Sequence, residues 1–368
     1  MATLTQFDHY LTHDGPAALV LREYLMPVEG PDGVLFPATF FAGDGFPGEY
    51  NIDTDPATGK NVALIDSVGS QANRIEPIFK EDKYKHLVPQ IVVKAGEKEV
   101  SIFEAGHRAG DALVRCSSLQ KELQDAFKAV LKGNAAPLAK IAPTSLVFGV
   151  WDSRDTQAKL PRLIASTIRA FNVRKLTRGA VYIPPVDYAT LDVFSEEEKA
   201  KAEGDNKNPL AKRGFVHVPA SGSHGGVIAD GGIRRDATLG LAALRLLHAG
   251  TDEAKTLALR RYILGLALVA FTYNPGGYLR QGCLLVLHPN QPSEFVEVHP
   301  DGKRTPCSIT YEDALQFATE AAKAFGVGES KTVPFDKDKA KADVTDGGDA
   351  KTKPKKASKA KSVEAGNG

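Results

Sequence analysis

Hydrophobic positions in this 368-residue chain come in short runs separated by glycine, proline and charge. Residues 17–28 (AALVLREYLMPV) carry apolar side chains around one charged pair, which predicts a first strand. Residues 30–48 and 54–60 are dense in Gly and Pro and predict loops. Residues 61–66 (NVALID) predict a strand that runs into Ser67 and Ser70, either of them a suitable N-cap, and a helix follows over about 70–79. Residues 87–94 and 99–104 predict two strands joined by a hairpin turn at 95–98. Leu113, Leu119, Leu123, Phe127 and Leu131 recur at helical spacing within 111–131.

In the second half, 146–150 (LVFGV) predicts a buried strand, and 160–171, with Pro161 near a first turn, a helix. Residues 178–183 and 214–218 predict strands, 221–232 a glycine-rich loop, and 239–249 and 256–271 helices. Late strands over 279–288 and 294–298 and a closing helix over 311–325 complete the pattern. Strands and helices alternate irregularly, with several strand-to-strand steps, so the expected fold class is α+β. About 187–213, which includes SEEEKAKAEGDNKN, is charged and poor in large apolar residues, as a solvated insertion would be. The Lys/Ala/Asp/Gly mixture of 331–368 predicts a disordered lysine-rich tail, leaving 1–330 as the folded domain.

Charge changes this picture once the tail is set apart. The formal net charge is +1, but from Lys331 onward ten lysines stand against six acids, +4, which puts the rest of the chain at −3. Contact with a polyanion must therefore come from local patches. Cys116, Cys283 and Cys307 are far apart with no C-x-x-C, which predicts a reduced protein without structural zinc. No apolar run reaches the ~18 residues of a membrane span. The N-terminal stretch shows no secretory signal, and a cytoplasmic location away from membranes is expected.

Several stretches have residue types suited to chemistry. In IDSVGSQANR, residues 65–74, a strand end meets a helix start, so free N–H groups converge with Ser67, Gly69, Ser70, Gln71, Asn73 and Arg74 into an anion site. An N-cap with a solvated turn is the alternative. The densest basic patch runs from Trp151, Arg154 and Lys159 through Arg162 and Arg169 to Arg174, Lys175 and Arg178. Arg162 and Arg169 would share a helix face and bind phosphate while Trp151 stacks on a base; a core tryptophan beside surface arginines reads as well. VPASGSHGGVIADGGIRRD, residues 218–236, offers Ser223, His224, Arg234 and Arg235 on a flexible backbone, or simply a mobile loop. NPGGYLRQGCLLV, residues 274–286, puts Gly276, Gly277 and Gly282 beside Arg280, allowing close approach to a ligand or a plain turn. KRGFVHV (212–218) begins like the RNP1 signature and departs from it at Val216 and His217. Glu104 and His107 are too few for a metal site, and neither a catalytic set nor a cofactor motif is recognisable.

Taken in order, VALIDSVGSQANRIEPIF, LVPQIVV, EAGHRAGDALVR and APTSLVFGVWDSRDTQAKLPRLIASTIRAFNVRKLTRGAVY resemble the backbone subunit of type I-G (formerly I-U) CRISPR Cascade complexes, of the RAMP superfamily. The resemblance spans about 37–325. It implies an RRM-like, ferredoxin-type palm with inserted finger and thumb elements, whose copies form a filament along one CRISPR RNA. The implied partners are that RNA, further copies of the chain, the large subunit and the subunit capping the RNA ends, and target DNA paired to the guide. Ser70, Gln71, Asn73 and Arg74 would then lie at an RNA-facing helix start, and about 214–236 would form a thumb-like segment. Such a subunit grips RNA of any sequence through phosphate, ribose and base faces, with no catalytic residue. The expected groove is continuous, and Asn73, Arg162 and Arg234 share it. The alternative is a RAMP-type endoribonuclease that processes repeat RNA through His224 or His107.

Overall fold

Ala18–Pro27 is the strand around which the computed structural model, describing residues 3–43, 45 and 48–346, is laid out. On one side it pairs with Ile233–Gly240, Leu19 opposite Leu239 and Tyr24 opposite Arg234. On the other side it pairs with Glu294–Val298 and, farther along, with Cys283–Leu287. Ile233–Gly240 continues the sheet to Ile164–Phe171, then Asn61–Asp66, then Ile52–Thr54. These pairings are antiparallel and belong to a nine-stranded sheet, an α+β architecture. Among the 283–298 pair, 18–27, 233–240 and 164–171, the neighbour order is fourth, first, third, second in the order the chain reaches them.

Side chains alternate across this sheet, as the period-two geometry of a strand demands. Leu19, Ile164, Ile168, Ala170, Ile233, Ala237 and Leu239 are buried. The intervening Arg22, Tyr24, Arg234 and Asp236 are only partly covered. The buried face packs under Glu253–Thr272, a helix whose second half, 262–271, is buried all round with Tyr262, Ile263, Leu264 and Phe271 fully enclosed, and Tyr311–Phe325 lies against that helix. A second cluster, with Leu35, Ile65, Ile168, Val173, Val227 and Leu285, fills the sheet's other end.

Ile164–Phe171 leads straight into Val173–Tyr182, which pairs with Val218–Ala229 as a two-stranded arm. Asn172, at φ 47°, makes the corner, and the Asn61 side-chain amide clasps Val173 from both sides, N–H to Oδ1 at 2.7 Å and Nδ2 to carbonyl at 3.0 Å. The arm carries 183–217 at its tip, including the short helices Glu196–Ala202 and Pro209–Lys212.

Several sequence expectations are corrected. Residues 160–171 form strands, because Ile164, Ser166, Ile168 and Ala170 alternate inward, a period that Pro161 at a helix-like position obscures. Residues 146–150 mostly end a helix, Pro143–Phe148. Residues 221–232 are largely strand, with glycine at 225 and 226 where a Cβ would lie 2.6 Å from the Leu176 carbonyl oxygen and from Val34, and 239–249 hold only the end of a strand and the single turn Leu241–Leu244. The 214–218 strand is absent except for Val218, so KRGFVHV lies off the central sheet. Lys331–Pro334 pairs in parallel with Ile91–Ala95, and Lys337–Asp346 is a helix. Buried Val333 anchors that folded part of the tail. The rest of the expected disordered tail, 347–368, lies outside the described residues.

Candidate nucleic-acid interface

The opening of the 65–74 stretch is organised by Asp66, a fully buried carboxylate. It accepts from Ser70 Oγ (2.7 Å), Gln71 Nε2 (2.6 Å), Arg74 Nε (3.2 Å) and Arg280 Nη2 (3.1 Å). Ser166 Oγ donates to Gln71 Oε1 (2.9 Å) and accepts from Arg235 Nε (3.0 Å), and Arg235 Nη1 reaches Glu23 at 2.7 Å. Ser67 caps Val68–Ile75 by accepting from the Ser70 N–H, and Gly69 sits in the first turn. Six predicted contacts from three stretches thus meet, but as an internal network joining the helix to the sheet and its edge strand Tyr278–Arg280. Their donors already face a carboxylate. Asn73 alone of the stretch is exposed. Gly277 leads into that edge strand, where a Cβ would lie 1.6 Å from the Leu285 carbonyl oxygen.

Arg234 lies on the opposite face of the sheet from Arg235, as neighbours in a strand must. Its Nε donates to Asp236 (3.0 Å) and its guanidinium covers the Phe171 ring at 4.8 Å. With Tyr24, Phe171, Arg174 and His288 it lines a cavity of about 590 Å³. Arg22 is paired with Asp236 and Glu294, and Arg174 with Asp230, so the cations on this face are locally neutralised. Their planes suit stacking more than phosphate capture. On the arm, Arg178 stands opposite Ser223, and His224 packs on Tyr50 (4.9 Å between rings) with Nδ1 4.0 Å from Glu49.

A larger groove, about 1520 Å³, runs between 106–115, 149–162 and 339–344. Gly149, at φ +82°, ends Pro143–Phe148 and turns the chain into the hairpin of Val150–Trp151 and Lys159–Leu160; a Cβ there would lie 2.8 Å from Arg162 Cγ. Buried Asp152 closes the hairpin, accepting from the Thr156 N–H (2.8 Å) and hydroxyl (2.6 Å). The hairpin presents Trp151, 55% exposed, with the Lys159 ammonium 5.3 Å from its ring centre. Along the groove Arg108 pairs with Glu76 and Arg115 with Asp343. Arg154, Lys159 and Arg162 line it without an ion pair among the described residues. Unneutralised cations around an exposed indole make a site for a phosphate backbone with a stacked base.

Glu76 lies beneath this groove, accepting from Arg108 Nε at 2.6 Å. Burial pushes its carboxyl up to about 7 against the pull of Arg108 and, more weakly, Arg162. The raised value means that the folded chain holds the proton more tightly than the unfolded one. This contribution is fully present below the ordinary carboxyl range and is lost as pH rises through about 7. We expect the native protein to lose on the order of 3 kcal/mol relative to Glu76→Gln between pH 4.5 and 7.5. Urea midpoints of both proteins across that range check the difference.

The continuous groove expected from the sequence is not how these residues are arranged. Arg162 lines the large groove, Arg234 the sheet-face cavity, and the two share no lining residue; Asn73 lines neither. Arg169 lies in the strand Ile164–Phe171 and Arg162 in the link that precedes it, so the expected common helix face is absent. The sequence reading passed over Asp66, Phe171, Tyr24 and Arg115. Of these only Arg115, in EAGHRAGDALVR beside His107 and Arg108, carried a local signal, a cation density of its own. Among the described residues no helix is long and apolar enough to cross a membrane, and no three His, Cys, Asp or Glu side chains could hold a metal ion.

Residues 19–175 match the model of a family described as CRISPR-associated protein GSU0053 (Cas_GSU0053). The matched span holds the first strand, the Asp66 network's helix, the groove from His107 to Arg162 and the root of the arm. No protein of curated function matches the chain.

Proposed function

We propose that this protein is a non-catalytic CRISPR RNA-binding subunit that polymerises along the guide as the backbone of a type I-G Cascade effector. Its similarity to a CRISPR-associated family over 19–175 supports the setting. The fourth-first-third-second strand order, with an arm between the second and third strands, fits an RRM-like, ferredoxin-type palm bearing a thumb. The observation that carries the reading is the groove, where Trp151 stands among Arg154, Lys159 and Arg162. These groups hold a ribose-phosphate strand without reading base edges, as a guide of any sequence requires. Further copies of the chain, the other Cascade subunits and target DNA paired to the guide are the partners of this role.

Trp151 is the only tryptophan, so its emission reports on the groove alone. Titration with single-stranded RNAs of unrelated sequence is expected to quench it with one midpoint for all of them. RNA bound by anisotropy with unchanged emission would place the contact elsewhere. One observation favours a repeat-processing endoribonuclease: exposed His107 stands in the same groove, 3.7 Å from Asp111. Incubation with repeat RNA in the absence of metal is expected to leave the RNA intact, and cleavage that disappears in His107→Ala would replace the binding role.

A further inference from the structure

Arg115 lines the groove with its side chain only 9% exposed. Both terminal nitrogens are on one carboxylate, Nη1 to Asp343 Oδ1 at 2.8 Å and Nη2 to Oδ2 at 2.9 Å. Asp155 stands farther off, at 4.0 Å from Nη1, and Arg115 Nε is buried without a hydrogen-bond partner among the described residues. Asp343 belongs to Lys337–Asp346, a helix of mostly charged and small residues, many of them exposed. Its other ties are Lys339 Nζ on the Ser117 carbonyl (2.9 Å) and the Asp336 N–H on that of Cys116 (2.8 Å). A helix of this length and composition has little stability of its own, so those few contacts hold it in place.

The two oxygens of Asp343 meet the guanidinium fork as two oxygens of a phosphodiester would. We propose that Arg115 is a phosphate subsite of the groove, held by the chain's own Asp343 until a nucleic-acid strand displaces it. The inference rests on the RNA-binding reading above and adds a residue and a competitor to it. Displacement exchanges one charge-assisted pair for another, and its cost is the release of a short helix. A strand already seated on Arg154, Lys159 and Arg162 delivers the next phosphate at high local concentration, which free phosphate does not. A further phosphate oxygen also gives Arg115 Nε the acceptor that Asp343 leaves it without.

The test compares the full chain, Asp343→Asn and Asp338→Asn for binding of one fluorescent single-stranded RNA at 0.1 M salt. Asp338 lies on the same helix, exposed and paired with Lys341, so its variant carries the same charge change without the Arg115 contact. If Asp343 holds the subsite most of the time, its loss tightens binding about 5- to 10-fold, and that of Asp338 changes it less than about 2-fold. Amides of 338–345 in the wild-type chain are expected to lose hydrogen-exchange protection when RNA saturates it. Equal affinities of the two variants, or unchanged protection, overturn the subsite while leaving RNA binding intact. No RNA binding by any of the three overturns both.

Discussion

Replacing Arg154, Lys159 and Arg162 together by alanine is expected to weaken binding of single-stranded RNA about 100-fold at 0.1 M salt, with the loss fading toward 1 M. Each phosphate contact on a single strand contributes about 0.7 to the slope of log affinity against log salt, so three lost contacts flatten it by about 2. The side chains are exposed and make no ion pair among the described residues, so their charges are available to a ligand; unfolding curves of the variant alongside the isotherms separate lost binding from lost packing of Arg162 on Gly149. The loss should be the same for every RNA sequence, since none of the three is placed by the fold to discriminate bases. Binding isotherms at four salt concentrations for two unrelated RNAs measure slope and uniformity at once. An unchanged slope removes the groove from the RNA path. The same triple substitution on the sheet face, at Arg22, Arg174 and Arg234, would confound affinity with folding, because carboxylates already hold those cations.

Asp66→Ala is expected to cost about 3–5 kcal/mol of folding stability, the range for stripping a buried ion pair of one partner. Four donors lose their acceptor, and two of them are guanidinium groups left facing a low-dielectric interior. Arg74 keeps its bond to the Leu279 carbonyl and Arg280 its bond to that of Ile65, so both remain fixed beside the vacated position. Asp66→Asn should fall between, retaining one acceptor oxygen but no charge. Urea unfolding followed by far-ultraviolet circular dichroism orders the three proteins. A cost below about 1 kcal/mol for alanine would mean that water reaches the site and that the network does not bind helix to sheet.

How much of this was legible in the sequence depends on whether the signal was local. The strand at 18–27, the helices at 253–272 and 311–325 and the cap at Ser67 follow from neighbouring residues, and each stands close to where periodicity and capping put it. Trp151 with Lys159 and Arg162 was legible as cation density around an aromatic, because a hairpin keeps sequence neighbours together. The 65–74 cluster was ambiguous for a physical reason: a helix start rich in Ser, Gln and Arg serves an anion or an internal carboxylate equally well. The deciding partners, Arg280, Arg235 and Ser166, are 69 to 214 residues away along the chain in the bonds that tie the network. Residues 160–171 and 218–229 misled because a proline and several glycines outweighed an alternation that only sheet pairing makes meaningful. Val333 and Phe335 were too sparse in a lysine-rich tail to announce a strand, yet pairing with Ile91–Ala95 is enough to order it.

The corner at Asn172 settles how the arm carries load. One ribbon strand follows Ile164–Phe171 across Asn172 and the other leads through 230–232 into Ile233–Gly240, and the Asn61 amide locks the root, so the arm is a cantilever built in at one end. Farther out its pairing slips register between Lys175 and Thr177 and again between Arg178 and Ala180, and those two places are where it is compliant. A pull on the tip therefore bends the ribbon first at those two places, with the Asn61 clasp holding its root against the sheet.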